Sequence, residues 1–77
     1  MIRIRNERLI VAFGERVRAL RQQKGYTIEK LAALADIEYR QLSDVERGKN
    51  NPTISTAYAI AKALEISFGE LMQVDTF

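Results

Sequence analysis

The sequence predicts an all-α domain of five short helices, on three observations. Apolar residues recur at three- and four-residue steps through most of the chain. Capping residues stand before those stretches, and glycines follow two of them. The only alternation of strand type, Ile2-Arg3-Ile4-Arg5, is too brief to support a sheet.

The first helix is expected from about Asn6 to Lys24, with Ile10, Phe13, Val17 and Leu20 on one stripe, Asn6 as cap and Gly25 as stop. Gly14 weakens a helix interior by about 1 kcal/mol relative to alanine, so a start near Gly14 is the alternative. Thr27 caps a second, short helix in which Ile28, Leu31, Ala32 and Ala35 face inward, and Glu29 suits the dipole of its first turn. Asp36-Ile37 leaves room only for a tight corner. A third helix runs roughly from Glu38 to Arg47, with Leu42 and Val45 inward and Gly48 ending it. Lys49-Asn50-Asn51-Pro52 is a polar loop holding the only proline. Thr53 then caps a fourth helix with Ile54, Ala57, Tyr58, Ala61 and Leu64 inward. Ser67 and Glu70 have the spacing of a capping box, opening a fifth helix that carries Leu71 and Met72.

Residues 1–77 read as one domain, with residues 1–6 as a flexible basic arm; 77 residues are too few for two cores. A chain this short buries only about 60% of the surface it exposes unfolded, so its stability is modest. It has neither cysteine nor histidine, which removes disulfides, thiolate nucleophiles, imidazole bases and soft metal ligands. No glycine-rich phosphate loop or nucleophile elbow surrounds the remaining carboxylates and serines, so an enzyme is not expected and neither is a cofactor. The apolar run Leu9 to Phe13, which no other run exceeds, is far short of the ~20 residues that span a bilayer, and a cytoplasmic protein is the expectation. Net charge is +2, unevenly distributed. Residues 1–25 hold seven basic groups (Arg3, Arg5, Arg8, Arg16, Arg18, Arg21, Lys24) against Glu7 and Glu15, while the rest holds five basic and eight acidic groups. A basic first segment suits a polyanion, or is a solvated helix face.

The second and third helices, joined by a tight corner near residues 27–47, form a helix-turn-helix. Small residues Ala32, Ala33 and Ala35 let the two helices approach. Burial of Leu42 and Val45 leaves Tyr39, Arg40, Ser43, Asp44 and Arg47 free on the other side.

The stretch from Thr27 to Met72, together with FGERVRALRQQKG before it, resembles the lambda-repressor-like, Cro/C1-type (XRE) helix-turn-helix family. The two stretches together cover residues 13–72, and the motifs that carry the likeness are ERVRALRQQKG, the LA of the second helix, the ERG ending the third, and NP before the fourth. The resemblance implies a regulator that binds double-stranded DNA through the major groove. It implies base contacts from Glu38, Tyr39, Arg40, Ser43 and Asp44, and phosphate contacts from Thr27, Ile28, Arg47, Lys49, Asn50 and Asn51. It also implies a structural ion pair between Arg21 and Glu46. Departures from the family pattern are Ile28 where a glutamine is usual, Asp36 where a glycine is common, and Glu38 where a serine-like cap is common.

Chemistry at these positions can be weighed separately. Arg40 is suited to a bidentate contact with guanine O6 and N7, a pairing worth about 1–3 kcal/mol of discrimination. Asp44 can accept from cytosine N4, but an intrahelical pair with Arg40 or Arg47 is preferred. Tyr39 either packs on a thymine methyl or phosphate, or turns into the core. Lys49, Asn50 and Asn51 suit backbone contacts, which position without reading sequence. Arg3 and Arg5 either enter a minor groove or form a frayed terminus.

Relatives of this kind usually act as dimers on palindromic sites, with half-sites about 10 bp apart. Phe68, Met72, Val74 and Phe77 are the expected interface of a homodimer, with completion of the monomer core as their other use. No effector pocket is evident. The competing reading is a protein-interaction module that keeps the fold with a weakened reader, since Glu38 and Asp44 put negative charge near phosphates.

Overall fold

The computed structural model describes residues 5–74; Arg3 and Phe77, named above, lie outside the described residues. Helix α1 spans Glu7–Gln23, α2 Ile28–Ala35, α3 Tyr39–Glu46, α4 Ile54–Ala63 and α5 Phe68–Leu71, with no strand among the described residues. The five-helix architecture matches the pattern of caps and periodicity.

Four side-chain caps start the helices. Asn6 Oδ1 accepts from the Leu9 amide at 2.9 Å, Thr27 Oγ1 from Lys30 and Thr53 Oγ1 from Thr56 at 3.0 Å, and Ser67 Oγ from Glu70 at 3.0 Å. Each satisfies one of the amides a helix start leaves without a partner. Helix α3 is the exception: Glu38 occupies the cap position and its side chain makes no capping bond.

The other ends share a single geometry. Gly25, Asp36, Gly48 and Glu65 follow α1, α2, α3 and α4 with φ of 73°, 57°, 71° and 61°. This left-handed conformation turns the chain so that the following amides return to the last carbonyls of the helix. Asp36 therefore makes the tight corner of the helix-turn-helix with φ 57°, which an aspartate tolerates better than most residues.

The core is built from Phe13 and Val17 of α1, Leu31 of α2, Leu42 and Val45 of α3, Ile60 and Leu64 at α4, and Leu71 of α5. Burying each aliphatic side chain contributes roughly 1.5–3 kcal/mol. Helix α1 packs on α3, α2 on both α3 and α4, and α4 on α5.

Helix α1 runs unbroken through Gly14, starting at Glu7 and not near the glycine. A Cβ there would overlap the Val45 carbonyl oxygen and sit 3.0 Å from that of Glu46. Gly14 thus lets α1 lie directly on the last turn of α3. On its other flank, Arg16 Nη2 donates to the Glu70 carbonyl at 2.8 Å and ties α1 to α5.

One expectation fails in α4. Ile54 and Tyr58 point outward, 79% and 58% exposed, whereas the buried stripe is Ala57, Ile60, Ala61 and Leu64. Both stripes contain Ala57, Ala61 and Leu64, and Ile54 and Tyr58 satisfy helical spacing on the shared edge. At 3.6 residues per turn Ile60, Leu64, Ala57 and Ala61 share one face, whereas Ile54 and Tyr58 lie past its Ala61 edge, with Tyr58 nearly opposite Ile60.

Candidate nucleic-acid interface

Two buried anchors hold the end of α3 in place. The first is the apolar side, Leu42 and Val45. The second is an ion pair: Arg21 Nε donates to Glu46 Oε2 at 2.7 Å and Nη2 donates to Oε1 at 3.1 Å. The remaining nitrogen, Nη1, donates to the Tyr26 carbonyl at 2.8 Å. Both side chains are largely removed from water, so the two parallel bonds orient α3 against α1 in a fixed geometry.

The outer side of α3 carries no packing duty. Glu38, Tyr39 and Arg40 are exposed at its start, and Tyr39 at 54% exposure is turned to solvent and not into the core. Ser43 and Asp44, one turn on, are half-buried, and Arg47 is exposed beyond them. Arg40 Nε lies 3.5 Å from Asp44 Oδ2, with the arginine side chain 87% exposed and the carboxylate 17%. An exposed pair of this kind contributes little to stability, but it draws the guanidinium along the helix surface.

The flanks are polar. Thr27 is exposed at the start of α2, its hydroxyl oxygen already accepting the Lys30 amide. The Ile28 side chain is partly buried and packs on the core, which leaves its backbone N–H as the group available to a phosphate. Beyond α3, Lys49 and Asn51 are exposed and Asn50 is half-buried. Base-facing and phosphate-facing candidates thus lie along the outer side of α3 and the segments at its two flanks.

One residue of this region, Gln41, was not singled out by sequence. Gln41 Nε2 donates to Thr56 Oγ1 at 3.4 Å and joins Asn50, Asn51 and Thr53 around a polar recess of about 160 Å³ between α3 and α4. Its polar type on the inner edge of α3, beside Leu42, was the available signal. Arg5 Nη2 donates to the Lys49 carbonyl at 3.1 Å, a contact across 44 residues that no periodicity encodes. Arg5 and Asn6 are therefore held, the first by this bond and the second by capping α1.

Around α5, Phe68 and Met72 are partly buried against the core, and Val74 is half-buried. Phe68 and Met72 border an apolar groove with Leu9, Ile10 and Phe13 that also takes in Pro52, and Phe68 continues onto the outward Ile54 and Tyr58. No helix among the described residues is long and apolar enough to cross a membrane.

The helix-turn-helix family model matches residues 17–71. The chain is 41% identical over 59 residues to the uncharacterized HTH-type transcriptional regulator y4dJ of Sinorhizobium fredii, covering 77% of each chain. It is 35% identical over 63 residues to the immunity repressor protein of Bacillus phage phi105, covering 82% of this chain and 44% of that one, so it spans less than half of the phage protein. Among solved structures, the restriction-modification controller protein C.AhdI from Aeromonas hydrophila superposes with a TM-score of 0.79 at 39% identity, covering 80% of this chain and 94% of that one.

Proposed function

The chain belongs to the helix-turn-helix family, and from that premise we propose that it is a sequence-specific transcriptional regulator that binds operator DNA in the cytoplasm as a homodimer. The observation that carries this reading is the division of α3. Leu42, Val45 and Glu46 are buried, while Glu38, Tyr39 and Arg40 stand clear of the fold and can enter a major groove.

In this reading Arg40 reaches a guanine and Tyr39 a neighbouring base or phosphate, with Ser43 and Asp44 one turn along. The Ile28 amide, Thr27, Arg47, Lys49, Asn50 and Asn51 grip the backbone on either side. Asp44 works by pairing with Arg40 in preference to accepting from cytosine. Glu38 repels phosphates, which lowers non-specific affinity more than affinity for a site whose bases are matched. The acidic residues on this face are thus compatible with a selective reader, and the names of the similar proteins favour a regulator over a partner-binding module.

The dimer face in this reading consists of Phe68, Met72 and Val74 together with Ile54 and Tyr58, whose outward placement leaves a large apolar surface uncovered in the monomer. Two-fold symmetry would present two copies of α3 to half-sites about one helical turn apart.

Selecting bound sequences from random duplexes, then titrating the best one across salt concentrations, tests the proposal. The expected result is a palindromic site whose affinity falls steeply with salt, because bound phosphates release counterions. A flat, weak response with no enriched sequence would refute it.

A further inference from the structure

Three of the four left-handed helix ends are anchored in the same way, and the fourth is not. After each of α1, α2, α3 and α4, an amide reaches back five residues: Tyr26 to Arg21 O at 3.1 Å, Ile37 to Ala32 O at 3.0 Å, Lys49 to Asp44 O at 2.9 Å and Ile66 to Ala61 O at 3.1 Å. The residue donating that amide normally also fixes the turn by an apolar contact with the helix it leaves. Tyr26, Ile37 and Ile66 do so, each partly buried against the core. Lys49 has an exposed, charged side chain and supplies no such contact.

A different residue holds it. Arg5 Nη2 donates to the Lys49 carbonyl at 3.1 Å. Arg5 Nε is in turn fixed by both carboxylate oxygens of Glu7, at 2.9 and 3.2 Å. The Lys49 backbone is thereby bonded on both sides, its amide to Asp44 and its carbonyl to Arg5. The preceding Gly48 lies close on α1, where a Cβ would be 3.0 Å from Val11 Cγ2. The loop after α3 therefore rests on the start of α1 instead of anchoring itself.

We infer that Arg5 is a positioning residue for the phosphate-gripping loop, fixing the Lys49 backbone so that the lysine side chain meets the DNA backbone in one orientation. The inference rests on the DNA-binding reading above. Glu7 neutralises the Arg5 guanidinium and occupies its Nε, so Arg5 acts through Lys49 and not as a separate cation on a phosphate. The gain is preorganisation: a loop ordered before binding loses less entropy on contact.

The test combines DNA titration with backbone dynamics. Arg5→Ala, Arg5→Lys, Lys49→Ala and the Arg5→Ala/Lys49→Ala double variant are titrated with one duplex, and NMR order parameters of residues 49–51 are measured without DNA. Arg5→Ala should weaken binding on the order of fivefold, the scale of one hydrogen bond, and lower the order parameters of the loop. Arg5→Lys should resemble Arg5→Ala, since an ammonium cannot hold Glu7 and the Lys49 carbonyl in the same fork. In the Lys49→Ala background most of the Arg5 effect should vanish. Additive losses in the double variant, or an equally ordered loop in Arg5→Ala, would overturn the inference. If the unsubstituted protein shows no salt-dependent binding, it is the DNA-binding reading that fails, and the order parameters still decide whether Arg5 orders the loop.

Discussion

Arg21 and Glu46 meet through two parallel hydrogen bonds of 2.7 and 3.1 Å, linking the last turn of α1 to the last turn of α3. With Nη1 on the Tyr26 carbonyl, the arginine also fastens the turn that leaves α1. Removing either partner strands a buried charge, which typically costs about 3–5 kcal/mol. Arg21→Ala and Glu46→Ala should each destabilise the domain on that scale in urea unfolding. Replacing both residues with leucine should cost far less than the sum of the single changes; strict additivity would show that the pair is not a unit.

Gly14→Ala should destabilise, against helix propensity. Alanine is favoured over glycine in a helix interior by about 1 kcal/mol. Here its Cβ would press on the Val45 carbonyl, so the backbones of α1 and α3 must separate. A net loss of about 1–3 kcal/mol is expected, read as a fall in Tm of roughly 10 °C. A rise in Tm would mean that the helices are not in this close contact.

Glu65→Gly should stabilise. A non-glycine residue at φ 61° carries a strain of about 1–2 kcal/mol, which glycine relieves. The exposed 3.5 Å pair with Lys24 is lost, but such pairs contribute little. After the entropic cost of glycine, a gain of about 0.5–1 kcal/mol should appear in thermal unfolding. Asp36→Gly should give a smaller gain, because aspartate tolerates the left-handed region better.

Arg40→Ala and Lys49→Ala should fail in different ways. The first should flatten preference at one base position, at a cost of about 1–3 kcal/mol against the preferred site. The second should weaken all sequences alike and reduce the salt slope by about one. Competition binding with a panel of single-base variants separates the two patterns, and identical profiles would remove Arg40 from base reading.

Ile54→Asp and Tyr58→Asp should leave the fold intact, since neither side chain enters the core. Both should shift sedimentation toward the monomer and weaken binding to a two-half-site duplex more than to a single half-site. An unchanged association state would move the dimer contact elsewhere.

Much of this architecture was legible because its signals are local. Asn6, Thr27, Thr53 and Ser67 cap helices as their side-chain chemistry suggests, and Gly25 and Gly48 end them. The stripe Ile10, Phe13 and Val17 is buried as its spacing requires. What periodicity misjudged was α4, where alanines and mixed apolar residues on adjoining edges leave the direction of the packed face undecided until α2 and α5 are in place. The purpose of Gly14 and the reach of Arg5 to Lys49 were illegible for a different reason: each is set by a segment more than thirty residues away in the chain.

The split character of α3 has a consequence for how such a protein diversifies. Folding depends on Leu42, Val45 and Glu46, while Tyr39 and Arg40 contribute almost nothing to it. On the proposed reading, substitutions on the outward side alter which operator is recognised without eroding stability, so the reader can drift to a new target while the scaffold stays unchanged. In that reading, recognition and foldability are inherited as nearly independent traits on a single eight-residue helix.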